Sequence, residues 1–256
     1  MARVLSFGLR TFAVLAGTWF GLHVGAAGAF QLLPMSMELA PTGNKATQTF
    51  AITNEATEPV AVQVFIVLRN VALDGTETLT PADADFLVFP PQAAVPAGKT
   101  QLVQVRWLGS RAPTTELAYR IIAEQLPVAL ENRGAQGARL EILMRYEGAV
   151  YITPPGVAPD VVVDAVASVQ TPEGQRLAVT LHNKGTAHGL LDQAVLTVAG
   201  RGANGQPAST ELRGEALGPM ASPNILAGGK RQFLLPWPAN LAPEGLTGTL
   251  RTSYVR

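Results

Sequence analysis

The sequence predicts an all-β protein of two immunoglobulin-like β-sandwich domains joined by a short Pro-rich hinge. Three observations carry that expectation. Short β-prone runs recur along the chain, most of them closed by a turn signal. The 25 glycines and 19 prolines are spread along the 256 residues, as many strands joined by turns require. Prolines 154, 155 and 159 then divide the runs into two groups of ordinary domain size.

Composition narrows the functional classes. Apolar residues make up 47% and charged residues 15%, which excludes a disordered chain. A net charge of zero gives no electrostatic basis for binding nucleic acid or an anionic membrane surface. Without cysteine there is neither a disulfide framework nor a thiolate site, so the sandwich reading rests on pattern alone.

Residues 1–29 read as a signal peptide. Arg3 and Arg10 form the basic start, residues 12–24 the apolar run, and Ala27-Gly28-Ala29 a small-residue site that places the cut after Ala29. An uncleaved anchor is the competing reading, because the uncharged stretch 11–33 is long enough to span a bilayer. His23 and the many Gly and Ala residues weigh against it.

The first domain is expected over residues 30–155. In residues 33–39, Leu33, Met35, Met37 and Leu39 share one parity, and Pro34 marks an edge strand because it offers no N–H. Strands follow at 48–53 and 60–68 around a polar turn, and then Asp74-Gly75 signals another turn. Residues 86–91, the turn 95–98, and strands 101–107 and 117–126 complete the approach to the stretch that matters most.

That stretch is 138–155, expected as one long strand. Leu140, Ile142, Met144 and Tyr146 alternate onto one face. Arg139, Glu141, Arg145 and Glu147 fall on the other face, interrupted by Leu143. Gly148 is expected to form a bulge. The strand is either a hairpin partner inside its own sandwich or an edge that another chain completes, since parity does not name the sheet face. If Leu140, Ile142 and Met144 serve a partner, burying them contributes roughly 5–9 kcal/mol before association costs. Backbone pairing would make the contact a β-strand addition.

The second domain is expected over residues 156–256, with strands at 161–170, 177–182, 190–199, 209–217, 232–235 and 247–255. Nothing in it signals catalysis. Gly200-x-Gly202-x-x-Gly205 matches a dinucleotide fingerprint in spelling, but Gln206-Pro207 and a β-prone run follow where a helix is required. It reads as a hairpin loop. His182 is expected to end a strand and His188 to sit in a loop, and no third ligand accompanies them for a metal. No serine occupies a nucleophile elbow, and Asp83 and Asp85 lie in a loop without an apolar wall. The expectation is a binding protein, not an enzyme, needing no cofactor and no metal.

The order of motifs resembles the periplasmic chaperones of the chaperone–usher pathway that assembles pili. The similarity runs from about Phe30 to the C-terminus. It is carried by Phe86-Leu-Val-Phe-Pro-Pro91, Val95-Pro-Ala-Gly-Lys-Thr-Gln-Leu-Val-Gln-Val-Arg106 and Tyr119-Arg-Ile-Ile-Ala-Glu-Gln-Leu-Pro127. Further on come Arg145-Tyr146 with Val150-Tyr-Ile-Thr-Pro154, Val179 to His188, and Asn224 to Phe233. The resemblance implies a chaperone that lends its last N-domain strand to a pilin-like subunit and delivers that subunit to an outer-membrane usher. Leu140, Ile142 and Met144 would be the donors. It also implies two basic residues in the interdomain cleft that hold the subunit's terminal carboxylate. Ser36 stands where the first is expected after Pro34-Met35, and Arg145 is the basic residue near the second. Self-association through the same edge is open to the unbound chain. The rival reading is an exported Ig-like protein retained in a surface assembly as a structural or adhesive module.

Overall fold

The computed structural model describes residues 30–127 and 142–255. The expected signal peptide and Leu140 lie outside the described residues.

The first sandwich contains β1 (Phe30–Leu33), β2 (Ser36–Leu39), β3 (Thr47–Asn54), β4 (Val60–Val71), β5 (Glu77–Pro81), β6 (Phe86–Phe89), β7 (Gln92–Val95), β8 (Thr100–Trp107), β9 (Leu117–Gln125) and β10 (Arg145–Ile152). One sheet runs β1-β3-β8-β6; the facing sheet runs β2-β10-β9-β4-β5, with β7 also on β4. The alternating apolar residues of β3 and β8 (Phe50, Ile52, Val103, Val105) meet those of β4, β9 and β10 (Val62, Val64, Ile121, Val150, Ile152) in one buried core.

The second contains β11 (Val161–Thr171), β12 (Gly174–Asn183), β13 (Gly189–Arg201), β14 (Pro207–Arg213), β15 (Asn224–Ile225), β16 (Lys230–Pro236) and β17 (Thr247–Val255). Sheet β11-β12-β16 packs on β14-β13-β15, to which β17 adds through β13. Leu177, Leu181, Leu191, Leu196 and Leu235 are fully buried between them.

Several expectations need correction. Residues 33–39 are not one strand: β1 pairs with β3 in one sheet, and β2 pairs with β10 in the other. The chain changes sheets at Pro34, whose missing N–H cannot continue the first ladder. Leu33 and Met35 are therefore half exposed (51% and 45%), whereas Leu39 is buried. Gly148 forms no bulge, since β10 pairs with β9 in unbroken register from Arg145↔Glu124 to Ile152↔Leu117. Close approach explains the glycine: a Cβ there would lie 2.8 Å from Ile121 Cγ2 and 3.3 Å from Met35 O. The bulges fall instead between Val163 and Ala165 and between Asp192 and Val195. β14 stops at Arg213, and a 3-10 turn at Gly214–Met220 replaces the expected end of that strand. Gly202–Gln206 is the loop of the β13–β14 hairpin, closed by Gly202 N–H donating to Gln206 O, while Gly200 and Arg201 end β13, paired with Ala208 and Pro207.

The hinge is bound along the second domain rather than loose. Lys184 and Thr186 N–H donate to Asp160 O and Ala158 O, at 2.8 Å each. Asn183, fully buried, accepts from Asp160 N–H and Gly185 N–H and donates to Ala187 O and Ile225 O. A single side chain thus satisfies four backbone groups around the turn.

Candidate functional site

The end of β10 lies at the domain boundary and its beginning lies on an open edge. Antiparallel β9 covers one side of the strand along its length. On the other side, parallel β2 covers only Ala149 to Ile152. Ahead of Ala149, at Arg145–Gly148, no described strand pairs with this edge. Such a row of backbone groups is a template for another strand.

The apolar comb lies across this opening, but not as one long strand. Ile142 and Met144 precede β10, and Gln125 N–H still donates to Met144 O at 2.8 Å. Ile142 is 61% exposed. Met144 and Tyr146 are half-buried against the first core, and the Tyr146 ring meets the Phe30 ring edge-to-face at 5.0 Å. The face that carries the comb continues into Gly148, Val150 and Ile152, which are buried, so it opens progressively toward its N-terminal end. Arg145 lies on the opposite face, where it donates to Glu124 Oε2 and Glu147 Oε1 at 2.9 and 3.0 Å.

Ser36 is exposed and opposite Ala149. It stands four residues along the ladder from Arg145, roughly 13 Å at ~3.3 Å per residue. Ser36 and Arg145 therefore do not converge on one point; they flank the open stretch at its two ends.

At the boundary, the Tyr151 ring stacks on His188 of the second domain with centroids 3.9 Å apart. His188 N–H donates to Glu116 Oε1 at 2.9 Å, and its Nδ1 lies 2.6 Å from the same oxygen. Thr153 Oγ–H donates to Glu116 Oε2, and Glu116 N–H donates to Thr186 O. Asn224 Nδ2–H donates to the Tyr151 hydroxyl at 2.8 Å. A second contact joins the β4–β5 hairpin to β16, where Gln232 N–H donates to Leu73 O at 2.7 Å. The Arg231 guanidinium lies where a side chain on Gly75 (φ 92°) would stand.

Behind Tyr151, Arg69 and Arg120 both donate to Glu77, with Nη2 distances to Oε1 of 2.6 and 2.7 Å. Desolvation raises the Glu77 pKa, but the bonds from Arg120 and Arg69 outweigh it and hold the carboxyl below its ordinary value. In the first core, burial followed by the bond to Asp85 pushes the Tyr119 phenol up.

Sequence reading missed Glu116, Tyr151, His188 and Arg69 as interface groups. Their partners are far away in sequence: Glu116 to His188 spans 72 residues and Asn224 to Tyr151 spans 73. No local pattern announces such pairs.

These features define a two-sandwich binding protein with an open strand edge leading to a cleft between its domains. Residues 36–158 match the family described as "Pili and flagellar-assembly chaperone, PapD N-terminal domain". That match spans almost the whole first sandwich, so the first domain is of the pilus-assembly chaperone N-terminal type. No curated protein sequence matches it. The fold is similar to that of the class 5 fimbriae chaperone CfaA, with 13% identity, a TM-score of 0.52, and coverage of 89% of this chain and 100% of that one. It is also similar to a chain in the CsuC–CsuE chaperone–tip subunit pre-assembly complex of the archaic Csu pili of Acinetobacter baumannii. There the identity is 13%, the TM-score 0.51, and the coverage 80% of this chain and 89% of that one.

Proposed function

We propose that this chaperone holds a pilin-like subunit in the periplasm by lending it the edge of β10, and then passes it to an outer-membrane usher. The observation that carries the reading is the unpaired edge at Arg145–Gly148 with the exposed Ile142 beside it. A guest strand laid there gains backbone hydrogen bonds from the edge and apolar contacts from Ile142, from Met144 and from Leu140 ahead of them. Arg145 and Ser36 bound the stretch as its polar contacts. Support for the partner class comes from the family and from the similar chain that is complexed with a tip subunit. The same edge is open to a second copy when no guest is bound. Export proceeds by a cut after Ala29, which leaves Phe30, the buried first residue of β1, as the new N-terminus.

The test is co-expression with a pilin-like subunit encoded beside it. Ile142→Glu should leave the chaperone's melting temperature unchanged and abolish recovery of soluble chaperone–subunit complex. A subunit that still co-purifies with this variant at the wild-type yield overturns strand lending through this edge.

A further inference from the structure

We propose that the outer face of the sheet β1-β3-β8-β6 is where two copies of this chain pack against each other, by a surface separate from the β10 edge.

The exposed large apolar side chains gather on this face. Phe50, Ile52, Val103 and Val105 point into the first core, so the residues alternating with them point outward. Among these, Leu33, Ala51 and Leu102 stand in one row across three strands, through the pairs Leu33↔Ala51 and Ala51↔Leu102. Phe89 lies opposite Gln104, the next outward residue of β8 after Leu102. Leu102 is 59% exposed and Phe89 67%. With Leu33 and Leu87 they are four of the eleven large apolar side chains exposed among the described residues, so the exposure is concentrated here and not scattered. Arg106 is the one charged residue in the four strands. Depletion of charge at the centre of an apolar patch marks an interface.

A second copy fits this face for three reasons. A four-stranded sheet face suits another sheet, and sheet-on-sheet packing is how both domains build their own cores. The four strands span roughly 400 Å² of sheet at ~4.8 Å between strands and ~3.3 Å per residue. Side chains standing on that plane enlarge the accessible area, so a pair buries on the order of 1,000 Å² in total, the size of a weak and reversible interface. The charges also allow it. A two-fold axis lying across the strands keeps the two Arg106 side chains at opposite ends. Each then approaches the end of the other copy that bears both signs, Glu55 and Lys99. On the face itself, the Thr53 and Thr100 hydroxyls bond each other at 2.9 Å, which lowers the cost of covering them.

β10 belongs to the facing sheet, so this contact leaves both strand edges unpaired. It therefore stands or falls independently of strand lending.

The test is sedimentation of the mature chain from about 1 to about 300 μM, where a dimer with Kd on the order of 10 μM shows as a rise in mass. Leu102→Lys should weaken association by about tenfold or more, because a charge is forced into the apolar centre. Phe89→Lys, on a different strand, should do the same and serves on its own should Leu102→Lys fail to fold. Ile142→Glu should associate as the wild type does. The chain has no cysteine, so a single introduced thiol is unique. Gln104→Cys should be linked into a covalent dimer by a short bismaleimide, whereas Thr78→Cys, exposed on the facing sheet, should not. A monomer mass at every concentration overturns the proposal. So does a dimer that survives both lysine variants and is lost in Ile142→Glu, which would assign self-association to the β10 edge. A monomer whose recovery of a pilin-like subunit falls in Leu102→Lys also overturns it and gives the face to the guest.

Discussion

Tyr151 and His188 lie face to face across the domain boundary, their rings 3.9 Å apart and 11° from parallel. One is the seventh residue of β10 and the other lies in the loop before β13. Because β10 also carries the open edge, whatever orders that edge is covalently continuous with the contact that sets the domains against each other.

Removing the Tyr151 hydroxyl tests the polar half of that contact. Tyr151→Phe keeps the stack but leaves Asn224 Nδ2 without its 2.8 Å acceptor and Arg69 Nη1 without its 3.4 Å one. A loss of about 1–3 kcal/mol in urea unfolding is expected, because buried donors are left unpaired. An unchanged midpoint would mean that solvent replaces the hydroxyl.

The comb should divide sharply in a stability series. Ile142→Ala, at an exposed position ahead of β10, should change unfolding free energy by less than about 0.5 kcal/mol. Ile152→Ala, fully buried on the same face, should cost about 2–5 kcal/mol. Equal costs would show that Ile142 is needed by its own domain and not available to a guest.

Gly148→Ala places a methyl 2.8 Å from Ile121 Cγ2 and close to Met35 O. The expected penalty is about 1–3 kcal/mol, with the loss concentrated where β2 meets β10. Hydrogen exchange should show faster opening of the Ala149 amide, which donates to Met35 O at 2.8 Å.

Acid should weaken the fold through Glu77. Its folded pKa is lowered, so the carboxylate's contribution is present above the ordinary glutamate value of 4.5 and is lost as pH falls through the depressed folded value. Glu77→Gln should flatten the pH dependence of the melting temperature below about pH 4.5. A variant with the same acid slope as the wild type would locate the titrating group elsewhere.

Much of the fold was legible in the residues themselves. The runs at 60–68, 101–107, 117–126 and 247–255 became β4, β8, β9 and β17 with ends within a few residues, because alternating apolar patterns need one face buried whatever the partner. The Asp74-Gly75 turn and the hairpin loop that ends the Gly200–Gly205 motif followed from backbone conformations that glycine tolerates, with φ of 92° at Gly75 and 74° at Gly205. Short strands such as β7 and β15 escaped notice, since four or two residues carry no period.

Local chemistry by itself therefore determined an all-β chain, its turns and the alternation of Ile142, Met144 and Tyr146, since these depend only on neighbours a few residues away. Which sheet takes up Leu33 and which takes up Leu39, how far β2 covers β10, and that Arg69, Tyr151, His188 and Glu116 meet were decided only by the packed structure. Those contacts join residues dozens of positions apart, and a side chain's neighbours across a sheet or a domain boundary exist only once both surfaces have been brought together.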